Sequence, residues 1–422
     1  MSEKEKPLSE LIKTIKKQNY ITVEQFNQLK NYSLIPGGFS ADDEKSNENQ
    51  KIIIKALINM QKDKDINFFK DYKRHPSKRI SKVFKDTIEN KNNENEIGVL
   101  NKDIPRCIFN QWKENNKEID YELDEFQKQL EKFLKKNKTK YSYYQGYLDF
   151  CVFFYNLFYD KKKSNNDNIY LDGIKLFTEL YLKDYISPFK SIGRTEDSMF
   201  DNTIALLTDI INLIDKNVYL KFKEDSAPLC LCLSWAITLF THEINNFYTI
   251  RRILDYLLIN EPINVYILTA IIICKNLQKR IKNIKEAEKE DIFLGMKDID
   301  LNKIDFNYMI VECDKFIKNN EENILDIQDK NQDLLYLIGD YNYRGIESIV
   351  YLYNKEVLPD RYIKKNKSFF PYILLFILFL VYIFVSYYFR KDRIFNELKG
   401  NIKLNENITN INKTKNNEDE DF

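Results

Sequence analysis

The sequence predicts an all-α protein: a multi-helix domain followed by a single C-terminal transmembrane helix. Three observations carry this. Apolar residues from 100 to 350 recur mainly at helical spacing. The segments between them are parted by single prolines, asparagines or charges rather than Asn-Gly hairpin turns. One run, FFPYILLFILFLVYIFVSYYF (369–389), carries no charge at all.

Taken in order, residues 1–34 read as a helical lead-in, followed by a polar insertion at SADDEKSNENQ (40–50). ENKNNENE (89–96) reads as a second solvated, flexible insertion. In YELDEFQKQLEKFLKKN (121–137), Leu123, Phe126, Leu130, Phe133 and Leu134 fall on one helical face. Asp120 stands at the N-cap, and Lys135 and Lys136 complement the negative end of the helix dipole. NTIALLTDIINLIDKNVYLKF, SWAITLFTHEI, TIRRILDYLLIN and INVYILTAIIICKNLQKRI follow the same logic. A run such as ILTAIIIC is ambiguous alone, and its length and helical neighbours make it a core helix. No repeat of fixed period is evident. The helical domain is expected over 35–345, a linker over 346–368, the membrane span over 369–389 and a short polar tail over 390–422.

The span is argued from physical dimensions. At a helical rise of ~1.5 Å per residue it covers roughly 30 Å, the thickness of a bilayer core. Lys364, Lys365 and Lys367 flank one side, and Arg390, Lys391 and Arg393 the other. Phe369, Phe370 and Tyr372 at one edge, with Tyr387 and Tyr388 at the other, suit interfacial aromatic belts. A buried core helix is the alternative, but core helices seldom run so far without a polar face. The opening MSEKEKPLSELIKTIKKQ is too polar for a secretory h-region, so the large N-terminal part is expected in the cytosol. With the tail on the lumenal side, Asn407 and Asn412, each followed two residues on by threonine, would become glycosylation acceptors.

Composition excludes several functions. The 422-residue chain has a formal charge of +1, which argues against nucleic-acid binding. Its cysteines, 107, 151, 230, 232, 274 and 313, fall mostly in apolar runs such as APLCLCLSW, without a C-x-x-C pair. With only His75 and His242 beside them, neither a zinc site nor a disulfide framework is expected, and the thiols read as buried and reduced. There is no G-x-x-x-x-G-K-[ST], no G-x-G-x-x-G and no G-x-S-x-G. The remaining candidates are a few uncharged or cationic groups in unusual surroundings, which suit a protein that completes another protein's active site.

Two short stretches stand out. In LNKDIPRCIF (100–109), Pro105 fixes the backbone beside Arg106, and Asp103 lies three positions earlier, able to orient a guanidinium outward from a turn. Alone, this reads better as a helix start with an ordinary surface arginine. In KYSYYQGYLDF (140–150), tyrosines crowd a Gln-Gly pair, and Gly146 is the one glycine between Gly98 and Gly173. A glycine there allows close backbone approach, and flanking rings hold the neighbouring amide rigid.

Together LNKDIPR and YYQG resemble the I-x-x-D-x-x-R and Y-x-Q-G patterns of the TBC domains of Rab GTPase-activating proteins, in the family's order. SWAITLF (234–240) and TIRRILDYLLINEP (249–262) are similar to its later Trp-bearing and R-I-x-D-like helices. With SPFKSIG and the terminal span, the chain looks most like the endoplasmic-reticulum-anchored subgroup. Four features depart from the pattern: the early R-x-x-x-W signature has no match in KIIIKALINM, Leu100 replaces isoleucine, Cys107 replaces threonine, and Leu148 stands where the family usually has a polar residue.

The resemblance implies a TBC-like helical fold that accelerates GTP hydrolysis by a GTP-bound Rab of the early secretory pathway. It implies Arg106 as an arginine finger and Gln145 as a glutamine finger, both supplied in trans. Asp103, Tyr143, Tyr144 and Gly146 would support them, and Trp235, Arg251 and Asp255 would be architectural. The protein would need no cofactor of its own, since GTP and Mg2+ belong to the partner. Its location would be the endoplasmic reticulum or early Golgi membrane. A catalytically inactive helical Rab-binding adaptor on the same membrane is the alternative.

Overall fold

The computed structural model describes residues 7–40, 47–62, 93–115, 123–137, 141, 143–159, 169–182, 185, 199–331 and 346–356. All fall in one compact unit, residues 1–363. The membrane-span expectation at 369–389 and SPFKSIG lie outside the described residues. Among those described, no helix is long and apolar enough to cross a membrane.

The described residues are helical and contain no strand. The order begins α1 (Leu8–Gln18), α2 (Val23–Leu34), α3 (Glu48–Lys62), α4 (Asn93–Asp103), α5 (Phe109–Asn115) and α6 (Asp124–Lys136). It continues with α7 (Tyr147–Phe158), α8 (Ile169–Phe177), α9 (Met199–Ile214), α10 (Lys216–Glu224), α11 (Leu233–Ile237) and α12 (Phe247–Leu257). The last are α13 (Ile263–Arg280), α14 (Lys289–Lys297), α15 (Phe306–Asn319), α16 (Glu321–Lys330) and α17 (Ile346–Tyr353).

Two helices form the middle of the core. Along α7 every residue from Tyr147 to Leu157 is buried, and α13 is buried from Ile263 to Cys274. A helix apolar on all sides is stable only when other helices surround it. Accordingly α7 packs on α8, and α13 packs between α9, α14 and α15. Each fully buried Phe or Leu contributes about 1.5–3 kcal/mol relative to exposure, and Phe150, Phe153, Phe154 and Leu157 are all sealed from solvent. The N-terminal helices share this core: α1 packs on α3, and α2 on α12, α15 and α17. Residues 346–353, expected within the linker, form α17, which seats Ile346, Ile349 and Val350 against α2 and α3. Lys30 of α2 pairs with the buried Glu347 of α17.

Several local expectations need correction. The polar insertion at 40–50 and the Asn-rich run at 89–96 both end inside helices, because α3 begins at Glu48 and α4 at Asn93. The helix expected from residue 121 starts at Asp124 with Leu123, not Asp120, at its cap position. The predicted continuous helix NTIALLTDIINLIDKNVYLKF breaks at Asp215, whose carboxylate caps the N–H groups of Asn217 and Val218 and starts α10. Cys230 is exposed, whereas the other five cysteines are buried, and all six are free thiols.

SWAITLFTHEI departs most. The helix stops at Ile237, and Leu239 (φ 51°) and Phe240 (φ 67°) take the left-handed conformation. Side chains with a Cβ pay of order 1–3 kcal/mol each for it, so neighbours must over-determine such a turn. Phe240 N–H donates to the Trp235 carbonyl (2.7 Å) and Thr238 Oγ1 to the Ser234 carbonyl (2.6 Å). From outside, the Tyr144 hydroxyl donates to the Ile237 carbonyl (2.6 Å) and Trp112 Nε1 to the Ile244 carbonyl (2.8 Å).

Candidate functional site

Pro105 sits at the start of a single 3-10 turn, Ile104–Arg106, that closes α4. Its fixed φ suits that position, where an N–H would be unpaired anyway. The turn aims Arg106 outward: the side chain is 62% exposed, its Nε donates to the Lys102 carbonyl (3.1 Å), and Nη2 lies 3.8 Å from Asp103 Oδ1. Asp103 itself is buried and accepts a hydrogen bond from the Tyr143 hydroxyl (2.7 Å). Burial, then this bond to Asp103, pushes the Tyr143 phenol far up, so it remains a neutral donor at all ordinary pH.

Tyr143 therefore ties the turn carrying Arg106 to the segment carrying Gln145. Gln145 is exposed, and among the described residues its amide makes no hydrogen bond. Gly146 follows with φ 91° and serves as the N-cap of α7. A Cβ on this glycine would lie 3.0 Å from Thr238 Cγ2. The close approach expected of a glycine here is made within the chain itself: the left-handed backbone and Thr238 both favour a residue without a Cβ. Tyr143 and Tyr144 pack on Tyr147 and spend their hydroxyls on Asp103 and the Ile237 carbonyl, so they hold backbone segments rather than the amide.

Arg106 and Gln145 line one cleft of about 430 Å³, together with Asp103, Ile108, Gln111, Gly146, Asp149, His242 and Glu243. Sequence reasoning missed the group that organises it. Asp149, buried in the first turn of α7, accepts Ile108 N–H through Oδ1 (2.8 Å) and holds His242 Nδ1 through Oδ2 (2.6 Å). One carboxylate thus joins three segments: the backbone just after Arg106, the helix just after Gln145, and the loop beyond Trp235. A signal was present: Asp149 is the sole charge in YLDFCVFFYNLF, and a charge in so apolar a helix must be paired. The hydrogen bond to Asp149 raises the His242 pKa, against the lowering effect of its partial burial.

Trp235, Arg251 and Asp255 are buried, well inside the fold. Arg251 Nη2 bonds Ser40 Oγ, while Arg252, three positions before Asp255, donates Nε to Asn307 Oδ1 (2.8 Å). Asp255 accepts Phe39 N–H (3.0 Å) and Gln50 Nε2 (2.7 Å). Where the expected R-x-x-x-W signature has no match, neutral Gln50 on α3 holds this carboxylate. Burial then pushes the Asp255 carboxyl up to about 7, despite Arg252, the Phe39 N–H and Arg251.

The described residues thus form an all-helical domain in which an exposed arginine and an exposed glutamine line one polar cleft. The Rab-GTPase-TBC domain family matches residues 50–282, more than half of the chain, and the chain belongs to that family. Its function is of the Rab GTPase-activating type, and domains of this family bind Rab GTPases. No curated protein matches the chain closely enough to be counted a relative.

Proposed function

We propose that the protein accelerates GTP hydrolysis on a GTP-bound Rab by inserting Arg106 as an arginine finger and Gln145 as a glutamine finger. The observation that carries this reading is their exposure in the same cleft, on segments joined by the Tyr143–Asp103 and Asp149–Ile108 hydrogen bonds. A GTPase alone hydrolyses GTP slowly because negative charge builds on the transferring phosphoryl group and the attacking water is poorly placed. A guanidinium supplied in trans stabilises that charge and is worth ~10³–10⁵ in rate, or roughly 4–7 kcal/mol of barrier. A carboxamide beside it orients the water. GTP and Mg2+ enter with the Rab.

The uncharged run at 369–389 supports anchoring in a membrane, and the resemblance to the endoplasmic-reticulum-anchored subgroup makes that membrane, in this proposal, the endoplasmic reticulum or early Golgi, with the helical domain facing the cytosol. The substrate is then a Rab of the early secretory pathway. The test is a panel of GTP-loaded Rabs incubated with the purified chain. At least one should hydrolyse GTP faster by ~10³-fold or more, and Arg106→Ala and Gln145→Ala should each remove most of that gain. A chain that binds a GTP-loaded Rab yet leaves every hydrolysis rate unchanged is instead the inactive adaptor. Deleting 369–389 should release the protein from membranes on fractionation.

A further inference from the structure

His242 lies in the same cleft without a part in the two-finger reading. The strained turn at Leu239 and Phe240 places it there, and its side chain is 40% exposed. Its Nδ1 is taken by Asp149, and among the described residues nothing bonds its Nε2. A carboxylate acceptor fixes the proton on Nδ1, so the neutral ring presents a lone pair at Nε2 and the charged ring presents an N–H. The outward edge becomes a donor only when the imidazole is protonated.

The surrounding charges have other partners. Asp149 spends both oxygens on Ile108 N–H and His242, Asp103 accepts from Tyr143, and Glu243 accepts from Ser234 Oγ (2.6 Å). Asp149 from α7, Glu243 from the loop of His242 itself and Asp103 from α4 all favour the charged ring, and Arg106 is the cationic side chain that lines the same cleft.

We propose that His242 is a third contact in this cleft: held through Nδ1 by Asp149, it takes up a proton as the GTPase docks and donates Nε2–H to an anionic oxygen of the GTPase–nucleotide complex. The inference rests on the reading that this cleft receives the nucleotide-bearing face of a Rab. The anionic oxygen belongs either to the terminal phosphoryl group or to a carboxylate of the GTPase.

Two variants separate the contact from its support. The amide nitrogen of His242→Asn reaches the Nδ1 position, keeping the bond to Asp149 and deleting the outward nitrogen. His242→Gln places a neutral donor where Nε2 was. The experiment measures affinity of the full-length chain in detergent micelles for the best-binding Rab of the panel, loaded with a non-hydrolysable GTP analogue. At about pH 6, where an ordinary histidine is largely protonated, His242→Asn should bind about tenfold more weakly than wild type, the effect of losing one charge-assisted hydrogen bond. That ratio should shrink towards unity by about pH 8.5, whereas His242→Gln should show a smaller deficit with little pH dependence. Repeating the comparison with GDP and with GDP–beryllium fluoride identifies the source: a deficit confined to the fluoride complex assigns the phosphoryl oxygen, and one present with both assigns a carboxylate.

Equal affinities of wild type and His242→Asn at every pH would overturn the proposal, and so would a deficit that does not change with pH. Arg106→Ala, followed by hydrolysis rate, is the separate control. Wild-type hydrolysis in that variant defeats the finger reading but leaves the binding result for His242 standing.

Discussion

Replacing Asp149 by alanine removes the carboxylate that holds three segments of the cleft together. Ile108 is buried, so its N–H loses its acceptor, which costs about 1–3 kcal/mol, the lower part of that range where water from the cleft reaches it. The His242 bond reaches a ring that is 40% exposed, so solvent takes over much of it and the loss there is about 0.5 kcal/mol. Relief from burying a carboxylate offsets part of this, leaving a net destabilisation of about 2 kcal/mol. For a domain of this size that lowers the melting temperature by about 3 °C. Fluorescence is the natural assay, since both tryptophans, Trp112 and Trp235, are buried beside segments that border the cleft. Single-turnover GTP hydrolysis should fall as well, because Arg106 and Gln145 no longer share a fixed frame. Asp149→Asn keeps an acceptor for Ile108 and should cost about half as much, while its amide forces the imidazole proton onto Nε2. If Asp149→Ala melts with wild type and accelerates hydrolysis equally well, the carboxylate does not organise the cleft and the argument is wrong.

Gly146→Ala should destabilise by about 1–2 kcal/mol from the left-handed backbone alone, with Thr238 having to yield as well. The maximal hydrolysis rate should fall more than the affinity for the Rab, because Gln145 is the adjacent residue; an unchanged melting temperature would contradict this. Tyr143→Phe leaves the buried Asp103 one donor short and should cost about 1–2 kcal/mol in urea unfolding, with a drop in hydrolysis rate that Tyr155→Phe does not share. Asp255 should give stability a pH dependence. Its folded-state value of about 7 lies above the ordinary carboxyl range, so its contribution is complete below about pH 4 and fades as pH rises to about 7. Denaturation midpoints measured across that window should slope downward in wild type and less steeply in Asp255→Asn, and parallel curves would count against the assignment.

Much of the fold was legible because helical periodicity is a local property. Phe126, Leu130 and Leu134 share a buried face as their spacing requires, and Ile263–Arg280 forms one helix as its apolar length requires. Arg106 and Gln145 were legible for a different reason: Asp-x-Pro-Arg and Tyr-Tyr-Gln-Gly, neither telling alone, together carry the family resemblance. The break at Asp215 was harder to see, because an apolar pattern continues on both sides of a cap that acts through a single carboxylate.

What the sequence determined by itself was helicity, the core-facing stripes and the identity of two exposed polar groups, all set by interactions within a few residues along the chain. Only the tertiary structure decided that Tyr143 meets Asp103, that Gln50 meets Asp255 and that Asp149 joins Ile108 to His242. Those pairings link residues 40, 205, 41 and 93 positions apart. Their partners are chosen by which buried polar groups the packed helices bring within bonding distance, and spacing along the chain carries no record of that choice.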